Sequence, residues 1–209
     1  MNIEKFILER PFIYHLTSQD NFDNIIKHRS LLSANELISL SGIEKYKNVS
    51  REKRMDHLQL EVNGVKVMLR DQRPISPLAL SKCLTDGWSV GDFLFHLNDR
   101  VFMWPTIERL WRHFNRYENE KPIIFRFETK EIFALNPHVK FCRLNSGATR
   151  ANSYLGGKAP SRGSQTFLNA ADFLLSVRDV AEVTFEKYCI LPTEFSYSYN
   201  PAGPFKKIV

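Results

Sequence analysis

The 209-residue chain has only three cysteines, Cys83, Cys142 and Cys189, too widely spaced for a disulfide framework or a zinc site. Its six histidines never form an HExxH pair, so no metal is expected. Nowhere do 18 apolar residues run together. Met1 to Arg10 alternates apolar with charged residues where a signal peptide would have an apolar core. The expectation is a soluble cytoplasmic protein with no membrane partner. Glycine is sparse, nine residues in all, and neither a GxGxxG nor a GxxxxGK[ST] run occurs, which argues against a Rossmann dinucleotide fold and a P-loop nucleotidase. No internal repeat and no linker divides the chain.

What is present suffices for one domain over residues 1–209. The composition is 43% hydrophobic, with 16 Phe, 7 Tyr and 3 Trp, enough to build a core and still leave flat surfaces for a base or a nicotinamide. The formal charge of +6 attracts nucleic acid or other polyanions, although the same charge also serves solubility.

Pro11 to Thr17 reads as a short buried strand, after which Thr17 or Ser18 caps a helix with Phe22, Ile25 and Ile26 on one face. Ser33 and Glu36 have capping-box spacing. Asn63-Gly64 between alternating segments is a strong hairpin signal. Helices are expected over about 78–84, 90–97 and 107–114, strands over 101–104, 121–128 and 180–185, and a restarted helix over 167–175. The lysine-rich stretch 42–54 reads as a solvated face or as a phosphate-contacting lid. Arg70-Asp71-Gln72-Arg73 reads as a salt-bridged corner or as a phosphate contact.

Taken alone, His15 in an apolar strand is a hydrogen-bonded structural histidine. Its surroundings, FIYHLTSQDNFDNIIKHRSLLS, resemble the opening of NAD-dependent ADP-ribosyltransferases, and within them the bacterial toxins of the DarT type that modify DNA. The resemblance covers roughly residues 12–190. It is strongest at the opening and around Glu182, and weakest over 42–84, which reads as a family-specific insertion. It implies an α+β fold with a split mixed-sheet core and surrounding helices. It further implies that NAD is consumed as co-substrate, with His15, Leu16, Thr17 and Asn21 in the NAD-binding opening. Arg100, Phe102 and Trp104, in NDRVFMWP, resemble the segment where such toxins set an arginine and aromatics around NAD. Glu182 falls at the strand-borne catalytic glutamate, supported by Arg100. A fixed carboxylate there suits the positive charge that develops on ribose as nicotinamide departs. Glu186, four residues on and on the same strand face, is its rival, and the resemblance alone chooses between them.

In the loop RGSQTF, Arg162 is expected to meet phosphate and Gln165 a base, with basic residues between 45 and 54 guiding a single-stranded acceptor. The function so implied is transfer of ADP-ribose from NAD to a base in DNA, preferably single-stranded. A toxin role follows by analogy, with an antitoxin or ADP-ribose-removing enzyme as partner. Two other readings stay open: transfer to protein or RNA, and a non-catalytic nucleic-acid-binding module in which Glu182 is structural.

Overall fold

The computed structural model describes residues 1–208, with Lys45, Tyr46, Lys47 and Tyr154 described by backbone alone, so the acceptor-guiding role expected of Lys45 and Lys47 lies outside the described residues. The Asn2 side chain caps α1 (Ile3–Glu9), and β1 (Phe12–Ser18) follows Pro11. Ser18 caps a 3-10 turn that leads into α2 (Phe22–His28), which ends at Arg29 in the left-handed region. After β2 (Ser30–Leu32), Ser33 caps α3 (Ala34–Leu40) by accepting from the Glu36 N–H. A 3-10 segment, Glu44–Arg51, precedes the hairpin of β3 (Leu58–Val62) and β4 (Val65–Leu69). Asn63 and Gly64, at φ 53° and 76°, supply the two positive φ angles that a tight hairpin turn needs.

The second half opens with α4 (Pro77–Ser81), a single turn shorter than the periodicity suggests, and α5 (Val90–Asn98), closed by a Ser89–Asp92 capping box. Then come β5 (Arg100–Met103), α6 (Ile107–Tyr117), β6 (Pro122–Glu128), α7 (Thr129–Leu135) and β7 (Val139–Cys142). Four short strands end the chain: β8 (Glu182–Glu186), β9 (Tyr188–Ile190), β10 (Phe195–Ser198) and β11 (Lys206–Ile208). The helix expected over 167–175 does not form. Asp172 and Phe173 N–H groups both turn back to the Asn169 carbonyl, and Asn169 Nδ2 bonds the Asp172 carboxylate at 3.2 Å. That single turn is not continued, and Phe167 and Phe173 are buried as separate anchors in two different clusters.

The architecture is α+β. One sheet has the order β1-β6-β10-β11, a second β5-β8-β7, and β2–β9 and β3–β4 form separate pairs. Every ladder between these strands is antiparallel, and the mixed character expected of the core amounts to one isolated parallel bridge, Leu84 with Arg162. The two sheets touch edge to edge at a single antiparallel bridge, where Tyr14 and Trp104 exchange N–H···O bonds of 3.0 and 2.8 Å. Beyond that bridge β1 and β5 part. One aromatic core lies beneath both sheets, with Phe6, Phe125, Phe127, Phe141, Phe173 and Phe185 fully buried. Each such ring contributes about 1.5–3 kcal/mol on burial.

The segment 42–84 packs as part of the body. The hairpin and α3 share a small core of Leu37, Ile38, Leu60, Val62, Val67 and Leu69. Asn21 secures it by accepting from the Met68 N–H at 2.7 Å and donating to the Met68 carbonyl at 2.9 Å.

Candidate active site

Where β1 and β5 diverge, a cavity of about 730 Å³ opens. His15, Leu16 and Thr17 line it from β1, Asn21 from the turn after it, Arg100, Phe102 and Trp104 from and just after β5, and Glu182 from the start of β8. These eight residues are thus brought to one space. Arg162 and Gln165 are not among its lining residues.

Glu182 pairs in register with Cys142 at the end of the second sheet and is 7% exposed. Its Oε2 accepts the Ser146 N–H at 2.9 Å. Burial pushes the carboxyl up from its ordinary value, opposed by the Ser146 hydrogen bonds and by the charges of Arg162 and Arg109. Glu186 points to the same face but sits outward, where it is paired with Arg100 at 3.2 Å and Lys140 at 3.6 Å. Those two cations hold its carboxyl below the ordinary range against the desolvation that would raise it. The two rivals therefore differ in kind, one buried at the cavity and the other a half-exposed ion-pair partner.

Arg162 is not the phosphate-facing arginine that its glycine-rich setting suggests. It is 3% exposed, and its Nε and Nη2 donate to the carbonyls of Ala148 and Asn145 at 2.9–3.0 Å. A guanidinium buried in a loop finds its acceptors in the carbonyls that the loop leaves unpaired. It clamps the turn from Asn145 to Ala148, and that turn presents the Ser146 N–H to Glu182. Gln165 is exposed on a 3-10 turn outside the cavity.

His15 Nδ1 lies 2.9 Å from the Phe102 carbonyl, bridging the gap where a ladder bond would otherwise be. A carbonyl only accepts, so Nδ1 carries the proton, and Nε2 of the neutral ring is left as an acceptor suited to a hydroxyl rather than a donor suited to phosphate. Thr17 and Asn21 act in support: Asn21 Nδ2 donates to Thr17 Oγ1 at 2.8 Å, and the Thr17 carbonyl accepts from Arg70 at 3.0 Å. Phe102 and Trp104 share a strand side but enter different clusters, Phe102 with Phe93 and Phe167, Trp104 with Leu16, Leu110 and Phe114. The Trp104 ring stacks on His113 with centroids 4.6 Å apart.

The electrostatics are dominated by arginine. Arg54, Arg70, Arg100, Arg109, Arg112 and Arg116 line the cavity against two carboxylates, Asp71 and Glu182. The Arg100 side chain is 2% exposed and lies 4.4 Å over the Phe167 ring. One of its nitrogens meets Glu186, while Nε and Nη1 are buried without a hydrogen-bond partner among the described residues. Arg70 lies 4.1 Å over the Tyr117 ring and also meets Glu120, and Arg54 is held by Asn98. Of the corner after the hairpin, Arg70, Asp71 and Gln72 thus face the cavity, while Arg73 pairs outside with Asp56. Among the described residues no group of three or more His, Cys, Asp or Glu is placed to hold a metal ion.

Three histidines, His15 and His113 at the cavity and His96 against Trp88 and Phe167, make a pH prediction. Burial pushes His15, His96 and His113 each down to about 4, with nearby arginines adding to the effect. Unfolded imidazoles hold their protons up to about pH 6.5, so between about 6.5 and 4 the unfolded chain binds more protons. The associated stability is present above that window and is lost as pH falls through it. The expected result is a Tm that drops steeply from pH 6.5 to 4 and, in His113→Phe, a slope shallower by about a third. A variant with the parental slope would show that His113 is not one of the groups responsible.

Residues 11–190 match a family described as a family of unknown function, DUF7002. The chain belongs to DUF7002. The matched span runs from just before β1 through β9 and contains every residue that lines the cavity. No curated protein and no solved structure matches the chain. Of the basic residues between 45 and 54 expected to guide an acceptor, Arg54 lines the cavity. For this DUF7002 chain, sequence reasoning misses Arg109, Arg112 and Arg116 as site residues, although a signal for them is available, since 109, 112 and 116 fall on one helical face.

Proposed function

We propose that this DUF7002 chain transfers ADP-ribose from NAD to a base in single-stranded DNA, releasing nicotinamide. The observation that carries the reading is the convergence of His15, Arg100, Phe102 and Glu182 on one arginine-rich cavity whose volume lies in the range of small-molecule sites. The residues fit the dinucleotide. Buried, unpartnered donors on Arg100 suit a pyrophosphate, the Phe102 and Trp104 rings suit a planar heterocycle, and His15 Nε2 suits a ribose hydroxyl.

When bound, NAD supplies an activated bond between ribose C1′ and nicotinamide, which breaks with its electron pair leaving on a neutral nicotinamide. Glu182, ionised, accepts the ribose hydroxyl proton in a hydrogen bond and opposes the positive charge developing at C1′. As the base forms its bond to C1′, the proton it loses passes to the Glu182 carboxylate. The Ser146 N–H orients that carboxylate, and the turn clamped by Arg162 holds Ser146. A single-stranded acceptor avoids the cost of extracting a base from a duplex. On the same reading the protein works in the cytoplasm as a growth-arresting toxin, and its host carries an antitoxin or an ADP-ribose-removing enzyme.

Mass spectrometry of short single-stranded DNAs incubated with protein and NAD tests the proposal. The expected product is one ADP-ribose heavier than the oligonucleotide, located on a base by fragmentation. Modification of protein or RNA, with all DNA sequences untouched, would overturn the DNA assignment.

A further inference from the structure

Resting on the transfer reading for its chemistry, a second assignment concerns how the acceptor is held. The α6 sequence IERLWRHFNRY divides its helix into faces. Leu110, Phe114 and Tyr117 are buried against Leu16, Trp104 and Ile124. Arg109, Arg112 and Arg116, at i, i+3 and i+7, form an adjoining stripe, and all three line the cavity. The stripe has a direction. Arg109 is half-buried and close enough for its charge to act on Glu182, whereas Arg112 and Arg116 are exposed. Their rise along the helix is about 4.5 and 6 Å per step, a spacing on the scale of neighbouring phosphates in a nucleic-acid strand. Among the described residues neither Arg112 nor Arg116 has a carboxylate within ion-pair distance, while Arg54, Arg70 and Arg100 on the inner wall are tied to Asn98, Glu120 and Glu186. The cavity thus has an inner set of cations held by partners and, towards the surface, two exposed cations, Arg112 and Arg116, with no carboxylate at ion-pair distance among the described residues.

We propose that the Arg109–Arg112–Arg116 face of α6 is a track for the sugar-phosphate backbone of a single-stranded DNA acceptor, leading from Glu182 to the surface. Six arginines against two carboxylates in a concave space focus a field that draws in a polyanion. A cationic groove that follows the backbone, ending at aromatic rings, is the general means of holding a single strand without reading its sequence. The buried Arg100 is left to the dinucleotide, and the track to the strand.

The test measures, by fluorescence anisotropy, binding of a labelled single-stranded oligonucleotide to the wild type, to R112E/R116E and to R112A/R116A, without NAD. NAD binding to each is measured separately by calorimetry. Both sites of substitution are exposed, so the fold is expected to persist, and equal Tm values verify it. The expected result is a loss of oligonucleotide affinity of about tenfold or more in R112E/R116E, with NAD affinity unchanged. In R112A/R116A the slope of log affinity against log salt should fall by about 1.4, the share of two phosphate contacts. Unchanged oligonucleotide affinity in both variants overturns the track. Loss of NAD affinity with oligonucleotide binding retained overturns it too, by giving the stripe to the dinucleotide's phosphates. Wild type that binds NAD but no oligonucleotide sinks the track while leaving an NAD reaction standing. Salt-sensitive, track-dependent oligonucleotide binding without NAD binding supports the track and removes the transfer reading.

Discussion

Glu182→Gln is expected to lower the proposed ADP-ribosyl transfer by about 10²–10³-fold, the scale of losing one preorganised group at the reacting centre. The amide oxygen still accepts the Ser146 N–H, but the charge that in the proposed reaction opposes the positive ribose and takes the acceptor proton is gone. Glu186→Gln should cost far less, about tenfold or under, because its carboxylate meets the distant side of Arg100 and solvent rather than the cavity. Two pH readouts separate a catalytic role for Glu182 from a structural one. Since burial raises its carboxyl, the wild-type rate should climb with pH as the group ionises, and this limb should vanish in the variant. Stability runs the other way. A raised native carboxyl contributes stability that is present below the unfolded value of about 4.3 and is lost as pH rises through the native one. The Tm of Glu182→Gln should therefore gain on the wild type as pH rises above about 4.5. Transfer at the wild-type rate in the glutamine variant would reject Glu182 as the catalytic carboxylate.

Asn98→Ala is expected to have the largest effect on stability, a loss of about 3–5 kcal/mol, or roughly 10 °C in Tm. Asn98 is 3% exposed and uses both ends of its amide. Nδ2 donates to the Ser50 carbonyl, while Oδ1 accepts from Arg54 and from Gln72, each at 2.9 Å. Burial already pushes Arg54 down to about 10, with Asp71 opposing. Removing Oδ1 leaves that guanidinium short of an acceptor in a site where desolvation is costly, and frees the Ser50 carbonyl. Asn98→Asp keeps the acceptors and loses only the donor, so it should fall between the two. Thermal melts of the three proteins check the order, and a loss below about 1 kcal/mol in the alanine variant would show that the network is not what holds the wall formed by 50–72.

How much of this was legible beforehand follows from the range of the interactions. The hairpin at Asn63-Gly64, the caps at Ser18 and Ser33 and the strand at Phe12–Ser18 depend on φ preferences and on bonds spanning a few residues, so their sequences announce them. The expected helix over 167–175 does not form, since Phe167 and Phe173 are drawn into two different clusters that one short helix does not reach together. A glycine-rich loop makes Arg162 look exposed, whereas its carbonyl and amide groups bridge to Thr85 and Cys83 and draw it inward. His15, Arg100 and Glu182 were chosen by likeness to a family pattern. Composition and spacing alone leave each of them as a structural histidine, a surface arginine and a solvated glutamate.

By itself the sequence determined the hairpin, the first strand and the caps that follow it, several of the helices, the aromatic material of the core and the lack of any zinc or P-loop motif, because these depend on residue type and periods of 2 and 3.6. Only the tertiary structure decided where β1 and β5 part, and therefore where the cavity lies. It also decided which six arginines share that cavity, for they come from segments scattered between residues 54 and 116. The choice between the two carboxylates shows the physical reason. Alternation puts Glu182 and Glu186 on the same strand face, and nothing within their strand distinguishes them. What separates them is pairing with Cys142 at one end and Arg100 at the other, and a turn from residues 145–148 that covers only the first.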